Sequence, residues 1–165
     1  MLDTTVLFPL NTTSSIGKNG GRMKVVIAYF SRYGNGKKCV DCVEARMKAK
    51  GHDVSVLKAT ESDPAQIPPA DLYVFSGAAE KFGLASEIKK YLLGLPEMAG
   101  RNYALINTHG LKKPRGLPRM EKILSGKKMV KVGEIDFQVG EGSDKGNGLP
   151  AGFEIQLAQW ADRFG

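Results

Sequence analysis

The stretch Met23-Lys24-Val25-Val26-Ile27-Ala28-Tyr29-Phe30-Ser31-Arg32-Tyr33-Gly34-Asn35-Gly36-Lys37-Lys38 decides how this chain folds. Residues 25–30 are a continuous apolar run of strand length, the pattern of a strand buried on both faces of a parallel sheet. A glycine-bearing loop, residues 31–36, follows at once. Residues 37–50 then carry Cys39, Val40, Val43 and Met47 at helical spacing, closed by Gly51. A loop between a buried strand and a helix start aims backbone N–H groups outward, at the positive end of the helix dipole, and so attracts an anion. Gly34 and Gly36 permit the positive φ angles and close approach that a phosphate cradle needs. Ser31 and Asn35 offer side-chain donors, and Lys37 and Lys38 raise the local potential. The alternative is a plain strand-to-helix turn that uses glycine for geometry alone.

Working outward, residues 52–57 alternate polar and apolar, as an edge strand with one exposed face does. Pro64, Pro68 and Pro69 mark a loop. Residues 72–75 read as a third strand ending in Ser76-Gly77, and residues 85–93 as a helix with Ile88, Leu92 and Leu93 on one side. Residues 103–106 are a fourth strand, with Thr108-His109-Gly110 opening the loop after it. Residues 117–124 look helical and residues 129–137 form a fifth strand. A loop containing Gly140, Gly142, Gly146 and Gly148 precedes a last helix, whose Phe153, Leu157, Trp160, Ala161 and Phe164 make one apolar core stripe. Alternation of this kind predicts an α/β fold, a doubly wound five-stranded parallel sheet between helices in three α/β/α layers. Ligands in such sheets bind beyond the carboxyl ends of the strands, which selects the loops at residues 31–36, 77–83 and 108–119.

Residues 1–22 lack periodicity and read as a flexible N-terminal tail, so the domain is expected to span residues 23–165. Met23 is also a candidate natural start. The 165 residues suit one domain with a real core. No apolar run reaches the roughly 20 residues that span a bilayer, and the N-terminus lacks the basic start of an export signal. With two cysteines, a cytoplasmic location is expected. The net charge of +7 favours anionic partners, including phosphate-bearing cofactors and acidic proteins. No nucleic-acid-binding motif accompanies that charge.

Residues 23–38 resemble the opening of flavodoxin-family proteins, where a strand runs into a Ser/Thr-x-Thr-Gly-x-Thr phosphate loop. Ser76-Gly77-Ala78-Ala79-Glu80-Lys81-Phe82-Gly83 is similar to the family's second flavin loop, and Asn107-Thr108-His109-Gly110 to its third. The resemblance implies an FMN-binding, redox-active domain that transfers electrons to a partner protein or reduces a small acceptor. It implies cofactor contacts from Ser31, Arg32, Tyr33, Gly34, Asn35 and Gly36, from Ala78, Ala79, Phe82 and Gly83, and from Thr108, His109 and Gly110. FMN is expected rather than FAD, because no second nucleotide-binding fingerprint is present. Tyr33 and Gly36 stand where the pattern has threonines, so backbone donors are expected to carry the phosphate. The family's electron carriers are typically acidic, and this chain is not. The alternative function is a domain of this fold that has lost FMN and serves as a binding or regulatory module.

Cys39-Val40-Asp41-Cys42 has two readings. Near a helix start beside Lys37 and Lys38 it is a candidate redox pair, and as a zinc site it supplies two of four ligands. On the apolar helix face with Val43 and Met47, both thiols are instead core fillers. His109 either contacts the flavin or substrate, with a proton to give near neutrality, or is a solvated loop histidine. His52 is expected on the surface. Phe82 and Tyr33 flank a flavin ring by stacking, or pack on the core. Asp71 and Glu80 show no paired arrangement for carboxylate catalysis.

Overall fold

The computed structural model describes residues 21–80, 83–110, 116–142 and 145–165. The expected tail therefore lies outside the described residues except for Gly21 and Arg22. The elements run β1 (Lys24–Tyr29), α1 (Asn35–Ala49), β2 (Asp53–Lys58), β3 (Leu72–Glu80), β4 (Gly83–Leu84), α2 (Ser86–Leu93), β5 (Asn102–His109), α3 (Gly116–Gly126), β6 (Val130–Gln138) and α4 (Phe153–Ala161). Five strands are parallel in the order β2-β1-β3-β5-β6, and the two-residue β4 turns back antiparallel on β3. The predicted doubly wound α/β sheet is thus present.

Burial explains the order. The β1 strand is flanked on both sides, and from Val25 onward its side chains are buried, as its unbroken apolar run requires. By contrast β2 pairs, among the described residues, with β1 alone, and its residues are exposed or half-buried, alternating from Asp53 to Val56. One core layer packs Phe75, Tyr103, Leu105, Ile88, Leu92 and Met120 between the sheet and α2 and α3. The opposite layer packs Ile27, Val74, Ile106, Val43, Met47, Leu157 and Trp160 beneath α1 and α4. Each fully buried large side chain contributes about 1.5–3 kcal/mol of transfer free energy.

Several expectations are corrected. The third strand does not end at Ser76-Gly77 but continues to Glu80, because β5 stays paired to it as far as Ala79 opposite His109. Thr108 and His109 accordingly belong to a strand rather than a loop. Leu93 is 53% exposed, and Tyr91 fills the core beside Ile88 and Leu92 instead. In the last stripe Phe153 is only half-buried, with its ring edge-on to Phe137 at 6.4 Å, while Leu157, Trp160, Ala161 and Phe164 are buried.

His52 is buried, not on the surface. Its Nδ1 accepts the Met23 N–H at 3.0 Å, so it staples the start of β1 to the turn before β2. Desolvation, reinforced by Lys50, pushes its proton affinity below the ordinary histidine value. Because the folded state prefers neutral His52, the stability it contributes is full above about pH 6.5, the unfolded value, and is lost as pH falls below that. His52→Asn, whose side-chain oxygen can still accept from Met23, is expected to flatten the decline of stability between about pH 7 and 5. Urea melts of both proteins at each pH measure it, and parallel declines would rule this staple out as the cause.

Candidate functional site

The crest of the sheet holds a crevice of about 600 Å³ between the ends of β1, β3 and β5. The strand order reverses around β1, so this is the switch point where a doubly wound sheet opens a binding crevice. Ser31, Arg32, Tyr33, Asn35 and Gly36 line it from the first loop, Ala78 and Ala79 from the end of β3, Gly83 from β4, and Thr108, His109 and Gly110 from the end of β5. Phe82 lies outside the described residues. Phe30, Glu80, Leu84, Ser86 and Val139 also line the crevice and were not among the residues expected there.

The first loop is built on Gly34, which takes φ 97°, a left-handed value that disfavours a side chain. Its N–H donates to Ser31 Oγ at 3.0 Å, and its carbonyl accepts the Lys38 N–H at 3.0 Å. The N–H groups of Gly36 and Lys37 precede that first intrahelical bond, so they sit in the turn whose donors a helix leaves unsatisfied. No acidic residue occupies the first turn of the 15-residue α1. Positive φ belongs to Gly34 alone in this loop; Gly36 is helical, which corrects the expectation for it. A methyl added at Gly36 would make ordinary contacts, the nearest with Ser31 Oγ at 3.4 Å.

Two expected contributors to an anion site are committed elsewhere. Asn35 Oδ1 accepts the Gly148 N–H at 3.2 Å, tying the glycine loop to the helix start. Lys37 folds along α1 onto Asp41 at 2.6 Å. Gly146 lies against Tyr33 and Gly34 backbone to backbone, so the loop after β6 forms a wall behind the first loop. Tyr33 is 55% exposed, which removes the core alternative for its ring.

Arg32 spans two elements. Its guanidinium meets Glu80 at 2.7 Å and Glu87 at 2.9 Å and lies 5.1 Å over the Phe30 ring. The hydrogen bonds to Glu80 and Glu87 hold its proton more firmly than usual. Partial burial opposes ionisation of Glu87, but its own backbone N–H, Ser86 and Arg32 keep its carboxyl below the usual range. The charge of Glu80, which lines the crevice, is thus balanced by Arg32.

His109 is no solvated loop residue. It is 4% exposed, and its Nδ1 lies 2.9 Å from Asp136 Oδ1, which also accepts from Asn107 Nδ2 at 2.8 Å. Asp136 was missed because it pairs with His109 only through the β5–β6 register, 27 residues away.

Cys39 is fully buried and Cys42 partly so. Desolvation and the nearby Cys42 push the Cys39 thiol up to about 12, and desolvation with Glu154 and Asp41 raises Cys42. Both shifts oppose thiolate chemistry, so the core-filler reading stands. A thiol reagent is expected to leave Cys39 unlabelled until the protein unfolds; rapid native labelling of both cysteines would restore the redox-pair reading. Among the described residues no three His, Cys, Asp or Glu side chains gather as a metal site, and no helix is long and apolar enough to cross a membrane.

Among solved structures, the chain is similar to the two-electron reduced flavodoxin of Megasphaera elsdenii, at 19% identity over 84% of this chain and 98% of that one, with a TM-score of 0.67. The chain has the flavodoxin fold. A second likeness is to rubredoxin:oxygen oxidoreductase from Desulfovibrio gigas, at 15% identity and TM-score 0.70, covering 86% of this chain and 35% of that larger one. The apo form of an NADH:FMN oxidoreductase is similar at 16% identity and TM-score 0.63, over 86% of this chain and 88% of that chain. No protein-family model and no curated protein matches the chain. On the flavodoxin fold, described residues from each of the three expected loops line one crevice, as the order of elements required.

Proposed function

We propose that this chain binds FMN in the crevice and serves in electron transfer to a partner protein or in reduction of a small acceptor. The observation that carries the reading is the β1–Gly34–α1 turn at the sheet's switch point. In doubly wound sheets of this strand order ligands sit in the crevice between the first and third strands, as FMN does in flavodoxin. The residues fit such a group. The crevice of about 600 Å³ is of cofactor size. The helix start is free of acidic side chains, and the one carboxylate facing the crevice from β3 is paired with Arg32. The backbone N–H groups at the start of α1 would hold the phosphate, and the ends of β3 and β5 would flank the ring. When bound, FMN supplies the redox chemistry, and the chain supplies binding, orientation and tuning. A cytoplasmic site of action is in keeping with two unpaired thiols.

The second reading is a binding or regulatory module without flavin. It is favoured by the commitment of the Gly34 N–H to Ser31 and of the Lys37 ammonium to Asp41, which thins the donor set. Titration of FMN with the purified chain separates the two. Quenching of flavin fluorescence with a Kd of about 1 µM or below, near −8 kcal/mol, is expected. Saturating FMN that gives neither quenching nor a thermal shift would leave only the module reading.

A further inference from the structure

We propose that His109 reads the flavin ring, with its Nε2 accepting a hydrogen bond from the imide N3–H, the single ring N–H of an oxidised flavin. This rests on the FMN reading above and deepens it by naming the side chain that recognises the ring. His109 ends β5, is almost wholly buried, and yet lines the crevice. Its Nδ1 is committed to Asp136 Oδ1 at 2.9 Å, and among the described residues nothing pairs with Nε2. Asp136 is in turn gripped by Asn107 Nδ2 at 2.8 Å, so two donors from β5 fix the carboxylate on β6.

A carboxylate oxygen only accepts, so the hydrogen of the neutral imidazole sits on Nδ1 and Nε2 carries a lone pair. A lone pair held in a nearly buried ring is complemented by an N–H donor and repelled by acceptors. Along the polar edge of an oxidised isoalloxazine, N1, N5, O2 and O4 are acceptors, and only N3 bears hydrogen. His109 therefore selects one ring orientation, and Asp136 and Asn107 act as positioning residues through it.

The test compares FMN with N3-methyl-FMN by fluorescence quenching. The wild-type protein is expected to bind the methylated flavin about tenfold more weakly, the loss of one hydrogen bond. His109→Leu keeps similar bulk without an acceptor, and should bring the two flavins to nearly equal affinity. Asp136→Asn, which no longer dictates the tautomer, should shrink the discrimination as well. Equal wild-type affinities, or an undiminished ratio in His109→Leu, would overturn the proposal while leaving FMN binding intact. If neither flavin binds the wild-type chain, the FMN reading falls and this inference with it. Imidazole ¹⁵N shifts of the wild-type protein need no variant: a hydrogen on Nδ1 and a shift of Nε2 on adding FMN are expected, and a hydrogen on Nε2 in the free protein would refute the assignment.

Discussion

Replacing Gly146 by alanine should destabilise the protein by about 2–3 kcal/mol and weaken FMN binding, the largest effect expected from any change outside the core. Gly146 sits at φ +73°, where an L side chain is strained, and its added methyl would lie 2.6 Å from the Tyr33 carbonyl oxygen. That oxygen belongs to the backbone of the first loop, so relief must move the phosphate cradle itself. Gly100 provides the control: it has φ +76° and nothing within 4 Å, so Gly100→Ala carries the backbone strain alone, about 1 kcal/mol. Urea melts give the stability difference between the two variants, and FMN titration gives the functional one. Gly100→Ala should bind FMN like the wild type. Equal losses of stability in the two variants, with FMN affinity unchanged in both, would mean that the glycine loop is not docked on the cradle.

The second large effect lies in the sheet. Phe75 is fully buried in β3, in register with Ala28 and Leu105 on the flanking strands, and its ring stacks parallel to Tyr73 at 6.2 Å. Phe75→Ala removes most of a side chain from a layer closed by α2 and α3, and is expected to cost about 3–5 kcal/mol. Against a total stability of roughly 5–15 kcal/mol, that is enough to leave the protein marginal. Phe75→Leu retains more volume and should cost clearly less. Because Phe75 points into the core and not the crevice, FMN affinity measured where the variant is still folded should stay at the wild-type value. A cost below about 1.5 kcal/mol for Phe75→Ala would show a core able to close the void.

The alternation of strands and helices was legible because periodicity is local. An apolar run at residues 25–30 buries both faces wherever it lies, and Cys39, Val40, Val43 and Met47 share one helical face whatever packs on it. The three site loops were legible for a related reason: chain order in a parallel sheet dictates which loops share the carboxyl edge. The pairings inside the site were not legible. Asp136 meets His109 across 27 residues, Arg32 meets Glu80 across 48, and Gly148 meets Asn35 across 113.

His52 and Leu93 exchanged their expected environments for the same reason, since burial depends on what folds against a residue and not on its neighbours in the chain. Gly34 and Gly36 looked equivalent in sequence, and only the helix start beginning between them made one left-handed and the other helical. By itself, the sequence determined the elements, their order and the edge at which a ligand belongs, because those follow from short-range spacing. Which donors, carboxylates and ring nitrogens face that edge was decided by the register of β5 with β6 and the docking of the last loop. Those contacts join segments far apart in the chain, and only the closed tertiary structure brings them within hydrogen-bond distance.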